Sequence, residues 1–103
     1  MPGVMKTLAE HPYVARVKGV CGGEPVIRGT RIAVRIVAQN WRAGWSPEEI
    51  QAEYPHLTLA QIFDALSYAQ DHAEEIDTLI EQHRRAYEKG LAANPKRRSN
   101  GTR

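Results

Sequence analysis

Two helix starts, twelve residues apart, constrain this chain more than any other feature in it. Ser46-Pro47-Glu48-Glu49 offers a capping serine, a proline at the first helical position and a glutamate three residues after the cap. The serine hydroxyl takes the third helical N–H while the glutamate reaches back to the serine N–H. Thr58-Leu59-Ala60-Gln61 repeats the device with glutamine. Pro55, between them, cannot continue a helix. The expectation is a short helix over 47–54, a turn at Pro55-His56-Leu57-Thr58, and a longer helix from 59. Ahead of these, Val34, Val37, Ala38 and Trp41 mark the stripe of a helix over 34–43, stopped by Gly44. Its entry is weak, because Ala33 has no side chain with which to cap. Short helix, turn, short helix, turn, longer helix is a trihelical helix-turn-helix pattern, homeodomain-like or winged-helix-like.

Upstream lies Gly22-Gly23-Glu24-Pro25-Val26-Ile27-Arg28-Gly29-Thr30-Arg31-Ile32. Glycines that permit positive φ, a proline with fixed φ and a β-branched pair describe a tight, backbone-defined β element. Tyr13 to Lys18 alternates apolar and polar residues and predicts one strand, and Val26-Ile27-Arg28 a second. Arg31-Ile32 either continues that strand or folds back. Residues 1–12 carry no pattern and are expected to be flexible. Two strands alone are marginal in water and need a helix layer or a second copy of themselves. The fold class is therefore mainly α, with a small N-terminal β element and a long C-terminal helix, in a single domain over 13–89.

The runs CGGEPVIRGTRIAV and AGWSPEEIQAEYPHLTLAQIFDALSYA resemble the domain-of-unknown-function 433 family of small bacterial and archaeal proteins. The resemblance covers Arg16 to Ala73, with Gly29-Thr30-Arg31-Ile32 and Tyr54-Pro55-x-Leu57-Thr58 as its most specific parts. It implies a fold like that of the antitoxin halves of toxin–antitoxin pairs, of the VapB type. It also implies a neighbouring toxin, a PIN-like ribonuclease, as the partner to be neutralised.

The third helix shows no stop signal before Gly90. Ile62, Leu66, Ala69, Ala73, Ile76, Ile80, His83 and Tyr87 advance by alternating steps of four and three, a heptad seam from end to end. Its first half is broad enough for a globular core, while its second is a narrow stripe with charged flanks. That stripe needs a partner: its own domain, a second copy or another protein. The last is the expectation carried forward, with Ile76, Leu79, Ile80, His83 and Tyr87 as the contact. Residues 90–103, with Lys96, Arg97 and Arg98, are expected to be a disordered basic tail able to enter a cluster of nuclease carboxylates.

Charge bears on partners rather than fold. Residues 1–45 carry seven Lys/Arg and two acids, residues 46–89 three bases and ten acids, and residues 90–103 four bases and no acid. No Lys or Arg occurs between 46 and 83. A recognition helix at 59 would offer only Thr58 and Gln61 to base edges, with Asp64 repelling phosphates. DNA affinity rests largely on phosphate neutralisation. Any DNA contact would then fall to Arg16, Lys18, Arg28, Arg31, Arg35 and Arg42, or to the tail.

Catalytic chemistry is not expected. The glycine segment lacks the spacing and the lysine of a phosphate-binding loop. Cys21 has no histidine nearby in sequence and cannot form an intrachain disulfide. His11, His56, His72 and His83 are scattered, with no two spaced three or four apart on one helix, so neither a metal nor a cofactor is predicted. With no apolar run long enough to span a bilayer and no leader-like N-terminus, the expectation is a soluble cytoplasmic protein. It is expected to form a homodimer that binds a toxin, with a stand-alone DNA-binding regulator as the alternative.

Overall fold

The computed structural model describes residues 5–8 and 10–93. The chain runs β1 (Met5–Leu8), β2 (His11–Val17), a single 3-10 turn (Cys21–Gly23), β3 (Val26–Ile27), α1 (Val34–Arg42), α2 (Pro47–Glu53), α3 (Leu59–Asp71) and α4 (Ala73–Ala93). The strands form one antiparallel sheet in the order β1-β2-β3, with Met5 opposite Val17 and Val14 opposite Ile27. No helix among the described residues is long and apolar enough to cross a membrane.

Both predicted helix starts are present in full. Ser46 Oγ accepts the Glu49 N–H at 3.1 Å while Glu49 Oε1 accepts the Ser46 N–H at 2.7 Å. Thr58 and Gln61 repeat those contacts at 3.1 and 2.7 Å. Each box satisfies two of the N–H groups that a helix start leaves open. Helix α1 enters at Ala33 with no side-chain cap, as its sequence implies, and Gly44 at φ +100° lets the chain turn after it. Arg31-Ile32 folds back. Ile27 N–H donates to the Ile32 carbonyl at 2.9 Å, and Val26 bridges Ala33. Gly29 at φ +83° makes that reversal possible, and Thr30 Oγ1 locks it between the Ile27 carbonyl and the Ile32 N–H.

Two expectations about the ends of the domain need correcting. The first twelve residues are not patternless: β1 starts at Met5 and β2 at His11. Pro12 disguised the strand. It has no N–H to donate, but it precedes the rungs to β3, which begin where Arg28 N–H meets the Tyr13 carbonyl at 2.7 Å. At the other end, the helix passes through Gly90 and continues to Ala93, so the region expected to be disordered from 90 is helical at its start.

The long third helix of the sequence reading is in fact two helices. The continuous seam breaks at His72, whose φ of −125° and ψ of 47° leave the helical region. Beyond the break, α4 turns back on its own domain. Ile76 is fully buried in a core with Val14, Ile27, Val37, Ile62 and Tyr68, and Leu79 and Ile80 pack at its edge. The stripe expected to seek a partner thus covers its own core as far as Ile80. The sheet, too, is covered by its own helix layer, with α3 lying against β2, so a second copy is not needed to shield it.

Truncation after Ala73 should therefore abolish cooperative folding. Ile76→Ala should cost about 2–5 kcal/mol, whereas Tyr87→Ala, at a position 68% exposed, should stay within about 0.5 kcal/mol. Urea denaturation with an unchanged m-value measures both. Equal effects at the two positions would contradict this division of α4.

Candidate functional site

Three of the N-terminal bases are paired within the domain. Arg16, on β2, places Nη2 2.5 Å from Glu75 Oε2 and 3.0 Å from the Tyr68 hydroxyl. Arg35, on α1, donates from Nε to Glu24 Oε1 at 3.2 Å. Arg42 meets Asp77 at 2.6 Å across the α1–α4 contact. Glu24 is only 7% exposed, and His83 Nε2 reaches its other oxygen at 3.1 Å, so α4 is tied to the loop before β3 as well. Arg16 and Arg35 are thus members of structural ion pairs, and His83 lies against the buried Glu24 carboxylate. Each of these three predicted site residues already has a partner within the domain.

Three bases of that set keep their charge outward. Lys18 and Arg31 are exposed and make no ion pair among the described residues. Arg28 donates from Nε to the Pro12 carbonyl at 2.9 Å and holds its guanidinium 5.9 Å from the centre of the Tyr13 ring, a neutral support that leaves the charge in place. Beside Arg31 lies a shallow depression of about 370 Å³ lined by Val17, Val20, Gly29, Thr30 and Arg31. The wall is held by Cys21, which sits at φ +49° and donates its thiol to the Arg31 carbonyl at 3.2 Å. The β2–β3 segment, from Tyr13 to Arg31, is thus a platform that carries three outward bases.

The start of α3 is poorly equipped to read bases. Thr58 Oγ1 and Gln61 Oε1 are both occupied in the capping box. Asp64 accepts the Tyr13 N–H at 2.7 Å, which ties β2 to α3 and keeps a negative charge on this face. Phe63, 53% exposed, is the largest apolar side chain there.

A cluster of titratable side chains occupies the junction of β2, α3 and α4, and no local sequence pattern marks it. Tyr68 is 1% exposed, yet its hydroxyl donates to Glu75 Oε1 at 2.6 Å. Its ring stacks on His72 at 4.3 Å and meets the edge of His11 at 5.2 Å. Burial, and then the hydrogen bond to Glu75, push the Tyr68 phenol up to about 12. Burial alone would raise Glu75, but the hydrogen bonds from Tyr68 and Arg16 outweigh it and hold the carboxylate below its ordinary range. The partners lie far apart in sequence, Arg16 and Glu75 fifty-nine residues, so spacing rules could not find them.

Farther along α4, Glu81 bonds Arg84 and Arg85, which hold it down to about 2, and Arg84 also bonds Glu88 at 2.6 Å. Tyr87 stands exposed beyond the core. Lys96, Arg97 and Arg98 lie outside the described residues.

The family model for a protein of unknown function, DUF433, matches residues 14–69. The chain belongs to the DUF433 family. The matched span runs from the core of β2 to the last turn of α3 and so includes the platform and both capping boxes. A crystal structure of a DUF433 member from Anabaena variabilis ATCC 29413 is similar at 35% identity, with a TM-score of 0.63 over 67% of this chain and 68% of that one. No curated protein matches. All of α4, including Ile76 and Tyr87, lies beyond the span matched to the DUF433 model.

The junction makes a pH signature. The raised Tyr68 phenol contributes stability that is complete below its ordinary value of 10 and is lost as pH rises through about 12. The lowered Glu75 contributes stability present above 4.5 and lost as pH falls through its depressed folded value. In a phenolate absorbance titration, one of the four tyrosines should ionise last, vanish from the curve in Tyr68→Phe, and move to lower pH in Glu75→Gln. A late component that survives Tyr68→Phe would contradict this arrangement.

Proposed function

We propose that this DUF433 protein is an antitoxin-like helix-turn-helix protein that binds a partner toxin, a PIN-like ribonuclease, and contacts DNA phosphates through its β platform. One observation carries the proposal. Helix α4 continues to Ala93 past His83, whose Nε2 lies 3.1 Å from buried Glu24, and presents an exposed Tyr87 on its later turns. Isolated helical turns of that length are marginal in water. Here they are braced by the Arg84 pairs with Glu81 and Glu88. A preformed helix with an exposed aromatic is what a partner's apolar groove accepts. The seam described in the sequence therefore contributes to a partner only from its distal end, with Tyr87 rather than Ile76, and with the bases at 96–98 following it. Half-exposed Trp41 and Phe63 offer apolar surface for a second copy, in keeping with a homodimer.

The test is co-expression with a PIN-like ribonuclease encoded beside it, read as co-purification and as residual ribonuclease activity. Truncation after Arg85 keeps both Ile76 and the His83–Glu24 pair, so it should leave the melting temperature within a few degrees, yet release the ribonuclease. Full neutralisation by the truncated chain would overturn the proposal.

A stand-alone DNA-binding regulator is the second reading, favoured by the outward charges of Lys18, Arg28 and Arg31. The α2–α3 pair supports a helix-turn-helix docking mode, but the phosphate-neutralising charge sits on the sheet. Lys18→Ala with Arg31→Ala should reduce the slope of log K against log salt by about 2, roughly 0.9 for each phosphate no longer neutralised. Gln61→Ala should leave the slope unchanged. The opposite pattern would place the DNA contact on α3 instead.

A further inference from the structure

Strand β2 opens on His11, a residue 2% exposed at the edge of the domain, directly after the exposed Glu10. Two carboxylates face its ring. Asp71 Oδ2, at the end of α3, lies 3.0 Å from Nε2, and Asp64 Oδ1 lies 3.5 Å from Nδ1. Despite these short distances, neither ring nitrogen is aligned for a hydrogen bond, and both are fully shielded from solvent. Buried polar atoms are rarely left so. The rings of Tyr68 and His72 wall the imidazole at 5.2 and 6.0 Å and supply no acceptor in line with it. One ligand atom from each of Glu10, His11 and Asp71 falls within 4.8 Å of the other two.

We infer that Glu10, His11 and Asp71 form a binding site for a divalent transition-metal ion, zinc foremost, which clamps the β1–β2 turn to the end of α3. An imidazole nitrogen 3.0 Å from a carboxylate oxygen and out of line with it suits two ligands of one cation better than it suits a hydrogen-bonded pair. Bonds of about 2.0–2.2 Å to nitrogen and oxygen require the three atoms to draw slightly together. Glu10 and Asp71, exposed on the surface, are free to rotate inward while His11 stays fixed. A buried imidazole among the ligands favours zinc and its transition-metal neighbours over magnesium or calcium, which prefer oxygen alone. Asp64 stands behind the imidazole, on the Nδ1 side, and is itself held by the Tyr13 N–H. At 3.5 Å from Nδ1 it is near enough to become the outer carboxylate that orients a metal-bound histidine, once the ring aligns with it. Three protein ligands leave one position to water, and the site's place, across the turn and next to the break at His72, makes its role that of a cross-link.

The metal-free full chain, untagged and dialysed against chelator and then buffer, is titrated with zinc chloride by calorimetry and followed by thermal melts. One zinc ion per chain is expected, with a melting temperature that climbs as free zinc increases. Magnesium chloride should give neither heat nor shift. Asp71→Asn and Glu10→Gln alter exposed side chains and should each weaken zinc binding by about tenfold or more, read against their own metal-free melts. Glu81→Gln, on the outer face of α4, should bind as the parent does. Absence of zinc binding overturns the site, as does zinc binding that is undiminished in both Asp71→Asn and Glu10→Gln or reduced equally by Glu81→Gln.

Discussion

A buried phenol must keep its hydroxyl hydrogen-bonded, and much of this molecule follows from how Tyr68 does so. Its ring fills the centre of the core, and burying it without a partner for the oxygen would cost about 1–3 kcal/mol. The partner is Glu75, which lies on the next helix. The chain leaves helical geometry at His72, between the two, and the Glu75 carboxylate is charged beside an apolar core. Arg16 on β2 compensates that charge. One hydroxyl thus joins the sheet, α3 and α4. The same turn of the chain brings Ile76 inward, which closes the core on the side of α1.

The placement of charge has a similar logic. Glu24 is almost wholly enclosed, and a buried carboxylate without a partner is far costlier than any exposed pair is worth. Arg35 and His83 answer it from two different helices. Arg16 and Arg42 are likewise drawn onto the acids of α4. With those pairs formed, the positive half of the chain retains Lys18, Arg28 and Arg31 on the outward platform. A count of bases along the sequence overstates what any nucleic acid would meet, because it cannot distinguish a charge that faces water from one that neutralises a neighbour.

The parts of the fold governed by near neighbours were legible in the sequence. Ser46 with Glu49 and Thr58 with Gln61 define their helix starts within four residues, and Gly29 and Gly44 mark the turns they make. What depended on distant partners was not. The break at His72 has neither glycine nor proline to announce it, and the Tyr68–Glu75 bond that spans it is joined by Arg16 from β2. The heptad pattern located buried or half-buried positions at Ile62, Leu66, Ala69, Ile76 and Ile80 but not the exposure of Ala73, His83 and Tyr87, and it could not say that the face was cut in two, nor that Ile76 had a core to enter. His11 read as an isolated histidine before a proline, and only the folded chain sets it between Asp64 and Asp71. The same applies to the platform: the arginines were visible, their pairing was not.

Helix α4 is one element by its backbone but two by its attachments. Its first turns are welded to the domain through Ile76, the Arg42–Asp77 pair and the His83–Glu24 pair, so their amides can exchange with solvent only when the whole domain opens. Among the described residues, no ion pair ties Tyr87 itself to the rest of the domain, and the turn that carries it can fray more readily than the turns before it. Amide protection should accordingly fall along a single continuous helix, from the global value near Ile76 to almost none toward Ala93, without any break in the backbone to mark where one regime gives way to the other.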